Sequence, residues 1–179
     1  MSHEDIATPE LVQGPREDNA RKFTLEGLSD TDLRLNNAFS YDLTVDWLEM
    51  GEVDETKLAK KVYPDGTEVL LKIRKITEDG KRIPEKKLLT ADEYNKLLEG
   101  SLCSVAKRRS EFKYVQDHVV FDVKYDEFHG SSLRMIEADP QEGDEGAFDP
   151  SMFAVDFDTE LTEVSDDPRY TGFRVTEVL

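Results

Sequence analysis

The chain is built of short segments in which apolar and polar residues alternate, and this period of two restricts it to a β-rich fold. Ala20–Glu26 and Tyr41–Glu49 alternate and carry β-branched or aromatic side chains, a pattern typical of strands. Lys57–Tyr63 and Thr67–Thr77 flank Pro64-Asp65-Gly66, the kind of turn that closes a hairpin. The first half of the chain therefore predicts consecutive antiparallel strands.

The remaining segments add further strands and one helix. Thr90, with Glu93 three residues later and Gly100 beyond, predicts a helix with a capping box and a glycine stop. About eight strands at roughly ten-residue spacing predict a mainly β (α+β) fold, an eight-stranded antiparallel barrel that is closed or nearly closed, with a few flanking helices. The further strands are predicted over Lys81–Leu89, Leu102–Tyr114, His118–Tyr125, Ser131–Glu137 and, as an additional candidate, Met152–Phe157.

The length of 179 residues fits one domain with a tail. Residues 1–17 contain two prolines, a glycine and several acidic residues, which predicts a flexible acidic N-terminal tail. Residues 18–179 are predicted to form the barrel domain. Within it, the acidic segment 140–150 is expected to be a solvated loop.

The balance of charge limits the partners of the chain. Forty Asp and Glu against 23 Lys and Arg leave a formal charge of −17, which argues against binding nucleic acid or anionic membranes through bulk charge. No long apolar run and no secretory signal pattern is visible, so we expect a cytoplasmic protein. Cys103 is the single cysteine, and we expect a buried thiol rather than a catalytic one.

The charges are also distributed unevenly. Residues 57–113 hold fifteen Lys or Arg against nine Asp or Glu, whereas residues 135–168 hold twelve Asp or Glu and no Lys or Arg. Side chains at i and i+2 share one face of a strand, so each of three pairs is expected on one face. These pairs are Lys72 with Arg74, Lys107 with Arg109, and Glu137 with Asp139.

Two interpretations of these faces stay open. Strands with one charged face usually turn it to water. The alternative is a polar interior in which cations bind phosphate oxygens and carboxylates bind divalent metal ions, under an apolar outer wall covered by helices.

The order of the motifs resembles that of the CYTH domain, the family of triphosphate tunnel metalloenzymes. Asp18 to Phe23 stands where the family has its opening E-x-E-x-K strand, and LLKIRK followed by KRIPEKKLLTADEYNKLL is similar to its basic strands and short helix. Lys107 to Arg109 matches a K-x-R strand, and Asp122 lies in a strand with a central Asp. Glu137 to Asp139 and Glu163 to Tyr170 are similar to the closing acidic motifs.

The resemblance implies a tunnel that binds triphosphate or polyphosphate molecules and hydrolyses them with Mg²⁺ or Mn²⁺, through a metal-activated water. It assigns seven cations to the phosphate oxygens: Lys22, Lys72, Arg74, Arg82, Lys107, Arg109 and Arg134. It assigns four carboxylates to the metal: Glu137, Asp139, Glu163 and Asp122.

One departure from the family pattern keeps other functions open. The opening motif has Asp18 and Ala20 where the family has two glutamates, so a metal ligand is missing. The first alternative is a non-catalytic module that binds polyphosphate or a nucleotide. The second is an acidic interaction domain on the same fold, with a basic protein partner.

Overall fold

The structure, a computed structural model, describes residues 20–51, 54–141, 143–144 and 146–179, and of residues 81, 82 and 173 the backbone alone. The described chain is mainly antiparallel β-sheet with short helices. The strands are β1 (Arg21–Thr24), β2 (Phe39–Met50), β3 (Glu55–Val62), β4 (Glu68–Glu78), β5 (Lys81–Leu88), β6 (Cys103–Gln116), β7 (Val119–Phe128), β8 (Arg134–Pro140) and β9 (Thr162–Glu163). The α-helices are α1 (Asp30–Leu35), α2 (Ala91–Leu98) and α3 (Pro150–Asp156), and Pro168–Tyr170 and Gly172–Glu177 are 3₁₀-helices. None of the described helices is long and apolar enough to cross a membrane.

The described residues form two compact units. The first unit comprises residues 41–106, and the second comprises residues 20–40 and 107–179. The strands of the first unit run in the antiparallel order β5-β4-β3-β2. Those of the second unit run in the order β6-β7-β8-β1-β9.

A closed eight-stranded barrel is not supported. The described strands number nine, and in neither unit does a described pairing join the two ends of the strand order. β9 has two residues, too few to continue a ladder. β5 contains Pro84, which lacks a ladder donor and suits an edge strand.

The predicted turns and alternation of the first unit are confirmed. Asp79 and Gly80 both have positive φ, as the two-residue turn between β4 and β5 requires. The Tyr63 amide donates to the Thr67 carbonyl across the Pro64–Gly66 turn at 2.9 Å. In β4, Val69 and Leu71 are buried, so this face of the strand packs in the interior.

The helix predicted after β5 is confirmed, and one predicted strand is wrong. Thr90 and Glu93 form a reciprocal capping box at the start of α2. Met152–Phe157, predicted as a strand, falls largely in α3. The Asp149 side chain caps this helix and Pro150 stands at its start, two helix-initiating signals that outweigh a short apolar run.

The core of the second unit is the apolar face of its sheet. Phe23, Phe121 and Ile136 lie on β1, β7 and β8 and are almost fully buried. Phe153 and Phe157 of the α3 segment stack with ring centroids 4.2 Å apart against this core. The apolar face of this sheet is therefore covered by the α3 segment.

Segment 140–150 contributes to this core where it is described. Phe148 is 3% exposed, and its ring lies 5.4 Å from the rings of Phe23 and Phe121. The Asp144 carboxylate accepts a 2.8 Å hydrogen bond from the Val120 amide. One aromatic side chain therefore fixes part of a segment whose composition indicates a solvated loop.

β6 holds both ends of α3. The side-chain amide of buried Gln116 bonds the backbone of Asp149 twice. Its nitrogen donates to the Asp149 carbonyl at 2.7 Å, and its oxygen accepts from the Asp149 backbone N–H at 2.8 Å. The Tyr114 hydroxyl donates to Asp156 at the other end of the helix. Burial, together with this hydrogen bond, raises the pKa of Tyr114 to about 12. The seven-residue helix is thus fixed by side chains two residues apart on one strand.

We predict that Gln116→Met lowers the free energy of unfolding by about 2 kcal/mol, because it removes two hydrogen bonds and leaves backbone groups of Asp149 unsatisfied. Urea unfolding measures this change. Lys113→Met on the same strand alters an exposed ion pair and is expected to cost less than about 1 kcal/mol. Equal losses for the two variants would show that Gln116 does not anchor α3.

Candidate functional site: a charged sheet face

The second unit has one sheet face on which most side chains are charged, with Phe128 and Met135 buried among them. The register pairs Arg109 with Asp126 across β6 and β7, and Lys124 with Glu137 across β7 and β8. Lys22 of β1 pairs with Glu137 in turn. Because directly paired residues project to the same side, their side chains share one face, which we call the charged face. Its charged members are Lys22, Lys107, Arg109, Glu111, Lys113, Asp122, Lys124, Asp126, Glu137 and Asp139.

One end of the charged face holds a buried ion cluster. Asp126 accepts two hydrogen bonds from Arg109, both at 2.7 Å, and one from Lys107 at 2.8 Å. The side chains of Lys107 and Arg109 are each 14% exposed, and that of Asp126 is 6% exposed. Burial acts to raise the pKa of Asp126, but the charges of Arg109 and Lys107 outweigh it and lower the pKa. The carboxylate therefore stays ionised and fixes both cations.

Glu137 lies at the centre of the charged face. Burial would raise its pKa, yet the nearby charges of Arg109, Lys124 and Lys22 lower it, so the group is held as an anion. Asp139 lies two residues further along β8 on the same face, paired with Asp122 across the ladder. The Lys113 ammonium lies 2.6 Å from the Asp122 carboxylate and both groups are partly exposed.

Six of the residues predicted from the sequence come together on this face. Alternation predicts that Lys107 and Arg109 share a face, and the register of β6 with β7 confirms this. The same holds for Glu137 and Asp139. The six are Lys22, Lys107, Arg109, Asp122, Glu137 and Asp139.

Glu163 lies away from the charged face. It pairs in register with Phe23, which belongs to the apolar face, and Arg21 donates to both of its carboxylate oxygens at 2.8 and 2.7 Å. This hydrogen-bonded pair, with a further bond from Ser165, lowers the pKa of Glu163 to about 2. The structure does not place this carboxylate with Glu137.

Arg134 also lies on the opposite side. It precedes Met135 on β8 and pairs in register with Glu127, whose carboxylate lies 3.6 Å from its guanidinium. Its Nη1 donates to the carbonyls of Ser131 and Leu133. Arg134 therefore fastens the β7–β8 turn.

Lys72, Arg74 and Arg82 belong to the first unit. Lys72 is half-buried and Arg74 is exposed, on the side of β4 opposite to Val69 and Leu71. Arg82 lies on β5, and its side chain is outside the described part of the structure. Asp18 of the opening motif likewise lies outside the described residues.

The sequence analysis misses four charged members of this face, Glu111, Lys113, Lys124 and Asp126, of which Asp126 fixes the buried ion cluster. The alternation that places Asp122 on the charged face continues through Lys124 to Asp126. The signal was therefore present in the strand YDEF. Asp122 stands at the centre of the predicted strand His118–Tyr125, whereas Asp126 stands just beyond its end.

Two carboxylates of this face are of the type that binds divalent cations. Among the described residues, no group of three or more His, Cys, Asp or Glu could hold a metal ion by itself. Mg²⁺ commonly takes one or two carboxylates and completes its shell with water and phosphate oxygens. Glu137 and Asp139, two residues apart on one side of β8, suit that arrangement.

Burial of the Cys103 thiol raises its pKa, which lowers its reactivity. Cys103 is half-buried at the start of β6 and its sulfur contacts that of Met50 at 3.4 Å. The structure thus agrees with a structural role for this side chain.

Comparison with solved structures shows a related fold. The crystal structure of the hypothetical protein NE1496 is 18% identical, covers 87% of this chain and 95% of its own, and gives a TM-score of 0.55. The PH1819 protein from Pyrococcus horikoshii OT3 is 15% identical, covers 68% of this chain and 80% of its own, and gives a TM-score of 0.41. No family model and no curated protein matches the chain.

We predict that Asp126→Asn lowers the free energy of unfolding by about 3 kcal/mol, because it leaves two buried cations without their counter-ion. Asp122→Asn, which alters an exposed pair, is expected to cost less than about 1 kcal/mol. The lowered pKa of Asp126 contributes stability above its unfolded pKa of about 3.9, and that stability is lost as the pH falls below this value. Urea unfolding from pH 7 to pH 2 should therefore give a shallower acid decline for Asp126→Asn than for the wild type. Parallel declines would contradict the role of Asp126.

We also predict that Arg21→Met raises the pKa of Glu163 from about 2 toward its ordinary value of 4.5, because the strongest hydrogen bonds to the carboxylate are lost. The pair contributes stability at a pH above 4.5 that is lost as the pH falls through about 2. Carboxyl-detected NMR titration measures this pKa. Ser165→Ala should give a smaller rise, and an unchanged pKa in Arg21→Met would disprove the pairing.

Proposed function

We propose that the charged face binds triphosphate or polyphosphate molecules together with Mg²⁺ or Mn²⁺, and that the protein hydrolyses such a ligand. The observation that supports the proposal most is that cations and carboxylates of β6, β7, β8 and β1 lie together on one side of the sheet. The resemblance of the motif order to the CYTH domain points to the same ligand class.

The charge count favours a ligand that is both anionic and metal-bound. The face has five cations and five carboxylates, namely Lys22, Lys107, Arg109, Lys113 and Lys124 against Glu111, Asp122, Asp126, Glu137 and Asp139. Cations attract phosphate oxygens, while the carboxylates repel them unless a divalent cation intervenes. A metal–polyphosphate complex can bind both the cations and the carboxylates, whereas a free anion is attracted by the cations alone and repelled by the carboxylates.

The residues have distinct roles in this proposal. Arg109 and Lys107, fixed by Asp126, present positive charge at a set position at one end of the face. Lys22 adds a cation beside Glu137. Glu137 and Asp139 would hold the metal, whose chemistry when bound is to neutralise phosphate charge and to activate a water molecule.

The proposal is tested by phosphate release from inorganic tripolyphosphate with Mg²⁺ or Mn²⁺, against a blank with chelator. Glu137→Gln should abolish the release, because it removes a metal ligand of the proposed site, and its melting temperature checks that the variant is folded under the assay conditions. Lys22→Met should weaken tripolyphosphate binding by about tenfold, the usual effect of losing one charge-assisted hydrogen bond. Arg169→Met, which removes an exposed cation outside the face, should leave both unchanged.

A thermal shift assay with tripolyphosphate and metal separates binding from turnover, since a ligand of the native state raises the melting temperature. A shift without phosphate release would identify a binding module. In that case Ala20→Glu, which restores the missing carboxylate of the opening motif, is expected to give turnover. The absence of both the shift and the release would disprove the proposal.

A further inference from the structure

The short helix α3 buries one face and exposes the other, and the exposed face carries two apolar side chains beside Ser151 and Asp156. Phe153 and Phe157 are buried in the core of the second unit. On the other side, Met152 is 37% exposed and Val155 is 81% exposed. Residues three apart are neighbours on a helix surface, so these two side chains form one apolar patch.

The exposure of this patch is built into the fold. Gln116 and Asp149 hold the start of α3 through two hydrogen bonds, and Tyr114 holds its end through Asp156. Because both ends of α3 are fixed and its aromatic side is buried, the helix cannot rotate to bury Met152 and Val155. A surface helix normally carries polar residues on this side.

The patch lies within the most acidic part of the chain. Residues 135–168 hold twelve Asp or Glu and no Lys or Arg. Asp158 and Glu160 follow the helix and are exposed, and neither carboxylate forms an ion pair with another described residue. Asp158 lies next to the patch, because its backbone amide donates to the Val155 carbonyl at 3.4 Å, and Glu160 follows two residues later.

We propose that the outer surface of α3 is a docking site for a basic amphipathic segment of a partner protein. Its apolar side chains would cover Met152 and Val155, and its Lys or Arg side chains would lie against Asp158 and Glu160. Charge complementarity selects this occupant, because anionic lipids, nucleic acids and a second copy of this acidic surface are all repelled. The site is independent of the charged face and of the function proposed for it.

The experiment uses the full chain and a fluorescein-labelled helical peptide of lysine and leucine, with its leucines on one face. A peptide of the same composition with the leucines dispersed measures binding through charge alone. Fluorescence anisotropy should show that Met152→Ser/Val155→Ser lowers the affinity for the amphipathic peptide by about tenfold, because two apolar contacts are removed. Leu35→Ser changes a side chain of α1 that is about as exposed as Val155, without changing net charge, and is expected to leave the affinity unaltered.

The remaining outcomes decide the proposal. Asp158→Asn/Glu160→Gln should also lower the affinity for the amphipathic peptide. Added salt should reduce the difference in affinity between this variant and the wild type, because salt screens the charges. Equal affinity of Met152→Ser/Val155→Ser and the wild type would overturn the docking site. A dimer of the free chain that the same serine variant dissociates in sedimentation would also overturn it, since the surface would then bind a second copy.

Discussion

The separation of the second unit's sheet into an apolar and a charged face is the constraint on which its structure depends. Alternation along β6 sends Phe112 and Tyr114 to one side and Arg109 and Lys113 to the other. The apolar side is buried by the α3 segment and Phe148. A slip of one residue in register would bury the charges and expose the aromatics, so burial of these rings also fixes which carboxylates and cations meet.

The buried ion cluster depends on this register and carries a cost of its own. Removing Lys107, Arg109 and Asp126 from water is unfavourable, and their mutual attraction recovers this only because hydrogen bonds of 2.7 to 2.8 Å satisfy the carboxylate. A hydrophobic cluster of similar volume would serve stability as well or better. In the function proposed above, these fixed cations would bind phosphate oxygens.

Alternation allowed much of the charged face to be predicted from the sequence. The pairs Lys107 with Arg109 and Glu137 with Asp139 follow from local parity, which any ladder preserves. Parity within a strand does not determine which face a second strand contributes, and this is why the place of Glu163 does not follow from the sequence. Arg134 stands three residues before Glu137 on β8, so parity alone puts it on the opposite face. Local patterns also do not predict whether the sheet closes into a barrel, because closure requires pairing between strands that are distant in the sequence. Arg21 forms an ion pair with Glu163, which lies 142 residues away in the sequence, and this pair holds Glu163 away from the charged face.

The overall charge and the charge of the face act over different distances. At a range beyond the Debye length of about 8 Å, the formal charge of −17 is screened, and nearer the surface the local arrangement dominates. On the charged face the five cations and five carboxylates cancel, so a free polyanion gains little on approach. A metal ion that neutralises Glu137 and Asp139 would leave the five cations opposed by three carboxylates. Attraction for phosphate would then arise only with the metal present, and the acidic remainder of the surface would discourage anions that arrive without one.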